Sequence, residues 1–99
     1  MKNKTFEELK IELYQYFDFE KVHKAMIAVN WVWSFDSTYN VTTMRVPTLE
    51  EIKQNADNLL ETAYQDKRQI GTGGLFAGFD GNNLYLSFIF ESFDVSINQ

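Results

Sequence analysis

The glycine-rich segment Gly71-Thr72-Gly73-Gly74 is the first place where residue types and spacing could do chemistry. Backbone amides in such a loop can hold a phosphate, but a phosphate loop leads from a strand into a helix and carries a lysine close behind. Here a predicted helix precedes the glycines and a predicted strand follows them. We therefore expect Gly71 to end the helix and the segment to lead into the strand.

Acidic side chains form the second group. One side of a predicted helix carries Glu50, Asp57 and Glu61, since Asp57 lies seven residues and Glu61 eleven residues after Glu50. Paired carboxylates do acid/base chemistry only where their environment separates their pKa values. We expect a solvated acidic face, and the alternative is a surface that engages a basic groove on a partner. For an enzyme we would look first at Glu91 and Asp94.

His23 is the single histidine of the chain. A general base needs a neighbour that orients it and a group to serve, and the spacing supplies neither. We expect a surface or partly packed histidine, no metal and no cofactor. The sequence therefore predicts a protein that is not an enzyme.

Aromatic residues form the third group, in which Trp31, Trp33 and Phe35 alternate along the chain. Such rings can stack on a base or a sugar, but in a small domain they usually fill the core. An exposed Trp33 would favour a binding site. Together with the glycines of residues 71–74, the tryptophans suggest an alternative function as a small-ligand, nucleotide-type binding protein with a concave pocket joining these segments.

Length and charge exclude several classes of protein. The 99 residues predict one domain over residues 1–99, without cysteine and with a net charge of −5. That charge argues against direct nucleic-acid binding and against docking on anionic membranes. No run of about 20 apolar residues exists to span a membrane, and the charged N-terminal region is not a signal peptide. We expect a protein of the cytoplasm of the host cell.

Helical periodicity and capping predict three helices. Thr5 and Thr48 each precede a glutamate by three residues, which is the capping-box pattern, and Asp18 is a further N-cap. Helices are expected at residues 5–17, 19–30 (with a stripe of Val22, Met26 and Val29) and from 48 to a stop at Gly71. Residues 31–46 read as a short hairpin, or alternatively as an irregular loop pinned by the tryptophans.

Alternation predicts a C-terminal hairpin in which Leu84, Leu86, Phe88 and Phe90 face the helices. The turn is centred either on Gly81-Asn82, which pairs Phe79 with Leu84, or on Asp80-Gly81. The reverse side carries Phe76, Tyr85 and Ile89 and is too apolar to be ordinary solvent-exposed surface. We expect a further layer, another strand or a partner to cover it.

The alternation then changes parity, because Phe93, Val95 and Ile97 are odd-numbered. We predict a bulge or bend near Glu91-Ser92, followed by a separate short strand or arm. The fold class is thus α+β, with about three helices on one face of a small antiparallel sheet. The candidate interaction surface consists of Phe76, Tyr85, Ile89, Phe93, Glu50, Asp57, Glu61 and Trp33.

Several sequence motifs resemble a group of short bacteriophage and prophage proteins of uncharacterised function. The resemblance covers most of residues 20–91, and the loop at residues 36–41 is longer than in that group. Its motifs are Val22-His23-Lys24-Ala25-Met26, Asn30-Trp31-Val32-Trp33, Val46-Pro47-Thr48, Leu59-Leu60 and Thr72-Gly73-Gly74-Leu75-Phe76.

The resemblance implies a viral or mobile-element accessory protein. Such proteins often bind and block a host protein, including CRISPR effectors and other defence nucleases. We therefore expect protein–protein binding, with a basic nucleic-acid-binding host protein as one class of partner. Self-association as a homodimer through a sheet edge is a further form of the same expectation.

Overall fold

The computed structural model describes residues 2–37, 39 and 41–98, which contain three helices and six strands. The helices are α1 (Phe6–Tyr16), α2 (Phe19–Val29) and α3 (Leu49–Asp66). The strands are β1 (Trp33–Asp36), β2 (Thr42–Arg45), β3 (Gln69–Thr72), β4 (Leu75–Phe79), β5 (Asn83–Phe88) and β6 (Glu91–Ser96). The predicted α+β class is confirmed.

Side-chain caps set the starts of the helices, as the sequence predicts. The Thr5 hydroxyl accepts a hydrogen bond from the Glu8 amide, and the Thr48 hydroxyl accepts one from the Glu51 amide, each completing a capping box. Asp18 caps α2 by accepting from the Lys21 amide. These bonds satisfy amides that the first helical turn leaves without partners.

The end of α3 differs from the prediction. Lys67, in the left-handed conformation with φ of 51°, caps the helix, and its amide donates to the Ala63 carbonyl. Gly71 is not the helix stop, because it lies inside β3. The chain turns from helix to strand within two residues, so the strand begins before the first glycine.

Strands β3 to β6 form one antiparallel sheet in chain order. Phe79 pairs with Leu84 and Ala77 with Leu86, which confirms the predicted turn centred on Gly81-Asn82. The Asp80 carboxylate accepts hydrogen bonds from the amides of residues 82 and 83, both at 2.8 Å. That carboxylate therefore closes the turn, and these backbone hydrogen bonds lower the pKa of Asp80.

The inward-facing residues change from even to odd numbers after Phe88 because of a hairpin turn, and not because of a bend at Glu91-Ser92. Strand β5 ends at Phe88, which pairs with Glu91 across a turn formed by Ile89 and Phe90. The expected separate strand is present as β6. Phe90 was predicted to face inward, but it sits in the turn and is 47% exposed. Ile89 and Phe90 are not typical turn-forming residues, so the position of this turn could not be predicted from residue types.

The core lies between the sheet and the helices. Helices α1 and α3 contact the inner face of the sheet, and α2 contacts α3. Leu84, Leu86 and Phe88 are buried there, as predicted. Val29 was expected in the buried stripe of α2, but it is 67% exposed because it lies in the last turn of the helix, beyond its buried part.

Strands β1 and β2 form the hairpin that the sequence offered as one of two readings for residues 31–46. Trp33 pairs with Arg45 and Asp36 with Thr42. Thr38 and Asn40 of the predicted loop lie outside the described residues. Among the described strands, β1 and β2 pair only with each other, and every residue of β2 is exposed. We call this two-stranded hairpin the arm.

Candidate functional site

The outer face of the sheet gives Phe76 and Tyr85 a structural role. Tyr85 pairs with Gly78, and a Cβ added at Gly78 would lie 2.2 Å from the Tyr85 ring. Phe76 pairs with Gly71, where an added Cβ would lie 2.3 Å from the Phe76 ring. Each ring thus occupies the space above a glycine on the neighbouring strand. Much of this expected interaction surface is explained within the sheet itself.

The candidate interaction surface includes both Ile89 and Phe93, but in the structure they lie on different sides. Ile89 lies at the β5–β6 turn and is 73% exposed. Phe93 faces the helices, since it pairs with the buried Leu86, and its ring stacks on Tyr16 at 4.7 Å. Of these two residues, Ile89 is therefore the one available to a partner.

The three acidic residues of α3 do not form one uniform surface. Asp57 lies 2.9 Å from the Lys10 ammonium and accepts a hydrogen bond from the Tyr14 hydroxyl at 3.2 Å. The hydrogen bond to Asp57 raises the pKa of Lys10, while burial, followed by the Asp57 charge, raises the pKa of Tyr14. Glu50 and Glu61 are exposed. Asp57 thus joins α3 to α1, and the other two acids remain free for a partner.

The two tryptophans hold the β3–β4 turn. The indole N–H groups of Trp31 and Trp33 donate to the same acceptor, the Gly73 carbonyl, at 3.1 and 2.9 Å. Gly73 and Gly74 have φ of 66° and 92°, as a tight hairpin turn requires. Trp33 is half-buried. Gly73 and Gly74 therefore form a hairpin turn packed under indole rings, and the glycine-rich segment has no strand-to-helix geometry for a phosphate.

A shallow pocket nevertheless joins Trp33 to the glycine segment. It has a volume of about 370 Å³ and is lined by Trp33, Ser34, Asn55, Thr72 and Gly73. The Asn55 amide donates to the Thr72 carbonyl at 3.2 Å, so one of its polar groups is already used. None of the five lining residues is basic.

Glu91 and Asp94 do not converge on a cleft. Asp94 pairs with Tyr85 on the outer face of the sheet, whereas Glu91 lies on the opposite face of β6. Glu91 accepts a hydrogen bond from the Asp18 amide at 3.1 Å and pairs with Lys21 at 3.4 Å. It thereby ties the α1–α2 corner to the sheet. His23 is half-buried on α2, and within the described ranges no group of three or more acidic or histidine side chains could hold a metal ion.

Exposed large apolar side chains collect at one end of the molecule. Trp31, between α2 and the arm, packs edge-on against Phe88, with 5.4 Å between the ring centroids. The rings of Phe88 and Phe90 also pack edge-on, with 5.6 Å between their centroids. The last turn of α2, the arm and the β5–β6 turn therefore belong to the same end. We call it the arm end, and its exposed apolar residues are Ile27, Val29, Tyr39, Val41, Met44, Ile89 and Phe90.

The arm is fixed at its base. Both terminal nitrogens of Arg45 bind the Glu51 carboxylate at 2.8 Å, and the guanidinium lies over the Phe35 ring at 3.9 Å. The Arg45 hydrogen bonds, followed by the one from the Thr48 amide, lower the pKa of Glu51 to about 2. The tip is unlike the base, because Tyr39 is 85% exposed. The arm thus combines an anchored base with an exposed apolar surface.

Most residues of the arm end escaped the sequence-based selection. Of its seven apolar side chains, only Ile89 belongs to the candidate interaction surface predicted from the sequence. The available signal was the β-branched run from Val41 to Thr43 next to Met44, which predicts a strand but gives no indication of what would cover it.

Among the described residues, no helix has both the length and the apolar character needed to cross a membrane. Comparison with known proteins finds no matching protein family, no matching curated protein and no matching solved structure.

Proposed function

We propose that this protein is not an enzyme and acts by binding another protein through the arm end. The observation that carries the proposal is the concentration of exposed apolar side chains there: of the ten large, highly exposed apolar residues in the described part of the chain, seven lie at this end. Exposed apolar side chains concentrated in one region of a surface often mark a protein–protein contact site.

The base of the arm supports the same proposal. An isolated two-stranded hairpin is marginal in water, yet here Arg45 and Glu51 hold its base in one position. An anchored hairpin presents its tip and its edges to a partner without a large entropic cost of ordering.

Charge suggests the chemistry of the partner. The chain carries a net charge of −5, and the exposed acids Asp36 and Glu50 flank the arm end, one on β1 and one in the first turn of α3. A matching surface would have an apolar pocket with basic residues at its rim. Nucleic-acid-binding proteins carry such basic surfaces.

The resemblance to phage and prophage proteins suggests a biological role for this binding. We propose an accessory protein of a phage or mobile element that acts in the cytoplasm of its bacterial host and blocks a defence protein there. A CRISPR effector nuclease is one such target, because its nucleic-acid channel is basic.

The test compares tagged variants expressed in bacterial cells. Replacing Tyr39 and Val41 by glutamine removes exposed apolar surface from the arm end, and Ile11→Gln on α1, at a residue that is 59% exposed, is the matched control. We expect a specific co-purifying protein with the wild type and with I11Q, and its loss with the double variant. A partner retained equally by all three proteins would contradict the proposal.

A nucleotide-type small ligand remains a second candidate, because a pocket does join Trp33 to Thr72 and Gly73. Its support is weaker, since both indole N–H groups already bind Gly73 and no lining residue carries a positive charge. Thermal-shift measurements with a panel of nucleotides test it, since a ligand of the native state raises the Tm. No shift with any of them would remove this candidate.

A further inference from the structure

The hydrogen-bond pattern of the arm shows which main-chain groups of β2 face outward. The Ser37 amide donates to the Val41 carbonyl at 3.0 Å, in the same register that pairs Phe35 with Thr43. Hydrogen-bonded and non-hydrogen-bonded pairs alternate along antiparallel strands. The main-chain groups of Thr43 therefore face β1, whereas those of Thr42 and Met44 face the open edge.

This edge lacks the usual protection of an edge strand. Natural proteins place charges, prolines or bulges on open edges to prevent pairing with another chain. Residues 42–44 of β2 are Thr-Thr-Met, uncharged and exposed on both faces. The only charged residue of the strand, Arg45, is bound by Glu51. The edge of β2 is thus chemically suited to accept another strand.

The other edges are less suited to pairing with a copy of themselves. The Ile97 amide donates to the Asn82 carbonyl, so in β6 the alternation turns the main chain of Asp94 outward. Self-pairing about Asp94 would place two carboxylates opposite each other. The edge of β1 carries Asp36, and β3 has a glycine within its four residues.

We propose that β2 pairs with β2 of a second copy of this chain, antiparallel and related by a two-fold axis at Thr43. Thr42 of each copy then exchanges two main-chain hydrogen bonds with Met44 of the other. This inference goes beyond the proposed function, because it concerns the open main-chain edge of β2, whereas that function places a different protein against the exposed apolar side chains of the arm end.

The register explains the residue types along β2. The two Thr43 residues form a non-hydrogen-bonded pair, whose α-carbons approach to about 4.5 Å, and threonine pairs are favourable at such positions. Arg45 of each copy lies opposite Val41 of the other, so the two guanidinium groups do not meet. The two arms together form a four-stranded sheet, which is stable where a two-stranded hairpin is marginal.

A cysteine placed on the axis tests the register. The chain has no cysteine, so Thr43→Cys carries a single thiol. Cysteine α-carbons can be bridged up to about 7 Å, which the two copies of residue 43 satisfy. The matched control is Thr42→Cys, because the two copies of residue 42 lie diagonally, at about 7–8 Å. Under mild oxidation we expect a covalent dimer of T43C to form much faster than one of T42C.

Charge exchange and a proline variant test the pairing without a covalent bond. Thr43→Lys and Thr43→Glu should each be monomeric, and their mixture should restore a dimer by sedimentation equilibrium. Thr42→Pro removes an outward N–H but none that β1 uses, so it should weaken the dimer about thirtyfold through two lost hydrogen bonds. Thr42→Val keeps the amide and should dimerise like the wild type.

A wild-type protein that stays monomeric at high concentration would overturn the inference, as would equal oxidation rates for T43C and T42C. Circular dichroism confirms that each variant is folded. The proposed function fails separately, since it depends on the loss of a co-purifying protein when Tyr39 and Val41 are replaced. Monomeric wild type together with that loss would leave the arm end as a contact site for a different protein alone.

Discussion

The ring of Tyr85 lies over the α-carbon of Gly78 on the neighbouring strand, in the space that a side chain at Gly78 would occupy. Phe76 lies over Gly71 in the same way. Burial raises the pKa of the Tyr85 hydroxyl, in keeping with a ring that lies against the sheet. Aromatic rings cover main chain that glycine leaves open to water, so these two residues stabilise the sheet from its outer face.

This relationship predicts coupling between Tyr85 and Gly78. Tyr85→Ala should destabilise the protein by about 1 kcal/mol. In the Y85A background, Gly78→Ala should stabilise the protein, because alanine restricts the conformations of the unfolded chain. In the wild type it should not, because the new methyl group would displace the Tyr85 ring. Urea unfolding of the four proteins should give a coupling energy of about 1 kcal/mol. Additive effects would mean that the ring and the glycine are independent.

The β3–β4 turn predicts unequal costs for two glycine substitutions. Gly73 and Gly81 both have positive φ, but an added Cβ meets the Trp33 ring at 2.6 Å at Gly73 and nothing within 4 Å at Gly81. Gly81→Ala should cost about 1–2 kcal/mol from the backbone conformation. Gly73→Ala should cost about 1–3 kcal/mol more because the indole must be displaced. Chemical denaturation measures both, and equal costs would contradict the tight contact with Trp33.

The contacts of Asp57 predict a structural role that Glu61 does not share. Asp57→Asn weakens the interactions with Lys10 and Tyr14, so it should lower the free energy of unfolding by about 1 kcal/mol, a discounted value because the cluster is partly exposed. Glu61→Gln is the matched control, since Glu61 is exposed, and it should have little effect on stability. Equal stability of the two variants would contradict a structural role for Asp57 and leave it a surface acid like Glu61.

The Arg45–Glu51 pair predicts a pH dependence at the base of the arm. The pKa of Glu51 is lowered from 4.5 to about 2, so the pair stabilises the fold above pH 4.5 and loses this contribution as pH falls towards 2. An NMR titration of the Glu51 carboxyl carbon should show this midpoint. In Arg45→Met the pKa should rise but stay below 4.5, because the Thr48 amide still donates to Glu51. An unchanged midpoint in R45M would show that Arg45 does not hold the carboxylate.

Local chemistry made much of the fold predictable from the sequence. Thr5, Asp18 and Thr48 begin helices because their side chains bond to nearby amides, and such signals depend on a few neighbouring residues. The alternation from Leu84 to Phe88 likewise reports which side of a strand meets the core. The class and the inner face of the sheet could therefore be derived without coordinates.

Features that depend on tertiary contacts were not predictable in the same way. Strand β3 has only four residues and one of them is a glycine, which weakens the local strand signal, and Phe76 covers that glycine from the next strand. The turn at Ile89 and Phe90 contains no glycine, asparagine or proline, so the change of alternation shows that a break is near but no turn-forming residue marks its position. The arm end was missed because exposure of Val41 and Met44 depends on where the arm points, which neither residue type determines.

Amide hydrogen exchange of Thr42 and Met44 tests most directly whether the open edge of β2 is a pairing surface. The amides of Thr43 and Arg45 face β1 and serve as the internal reference, since their protection reports an intact arm. As protein concentration rises, protection of Thr42 and Met44 should increase towards that of the reference pair. Exchange of Thr42 and Met44 at the rate of an unstructured peptide at every concentration, with Thr43 and Arg45 protected, would contradict pairing at this edge.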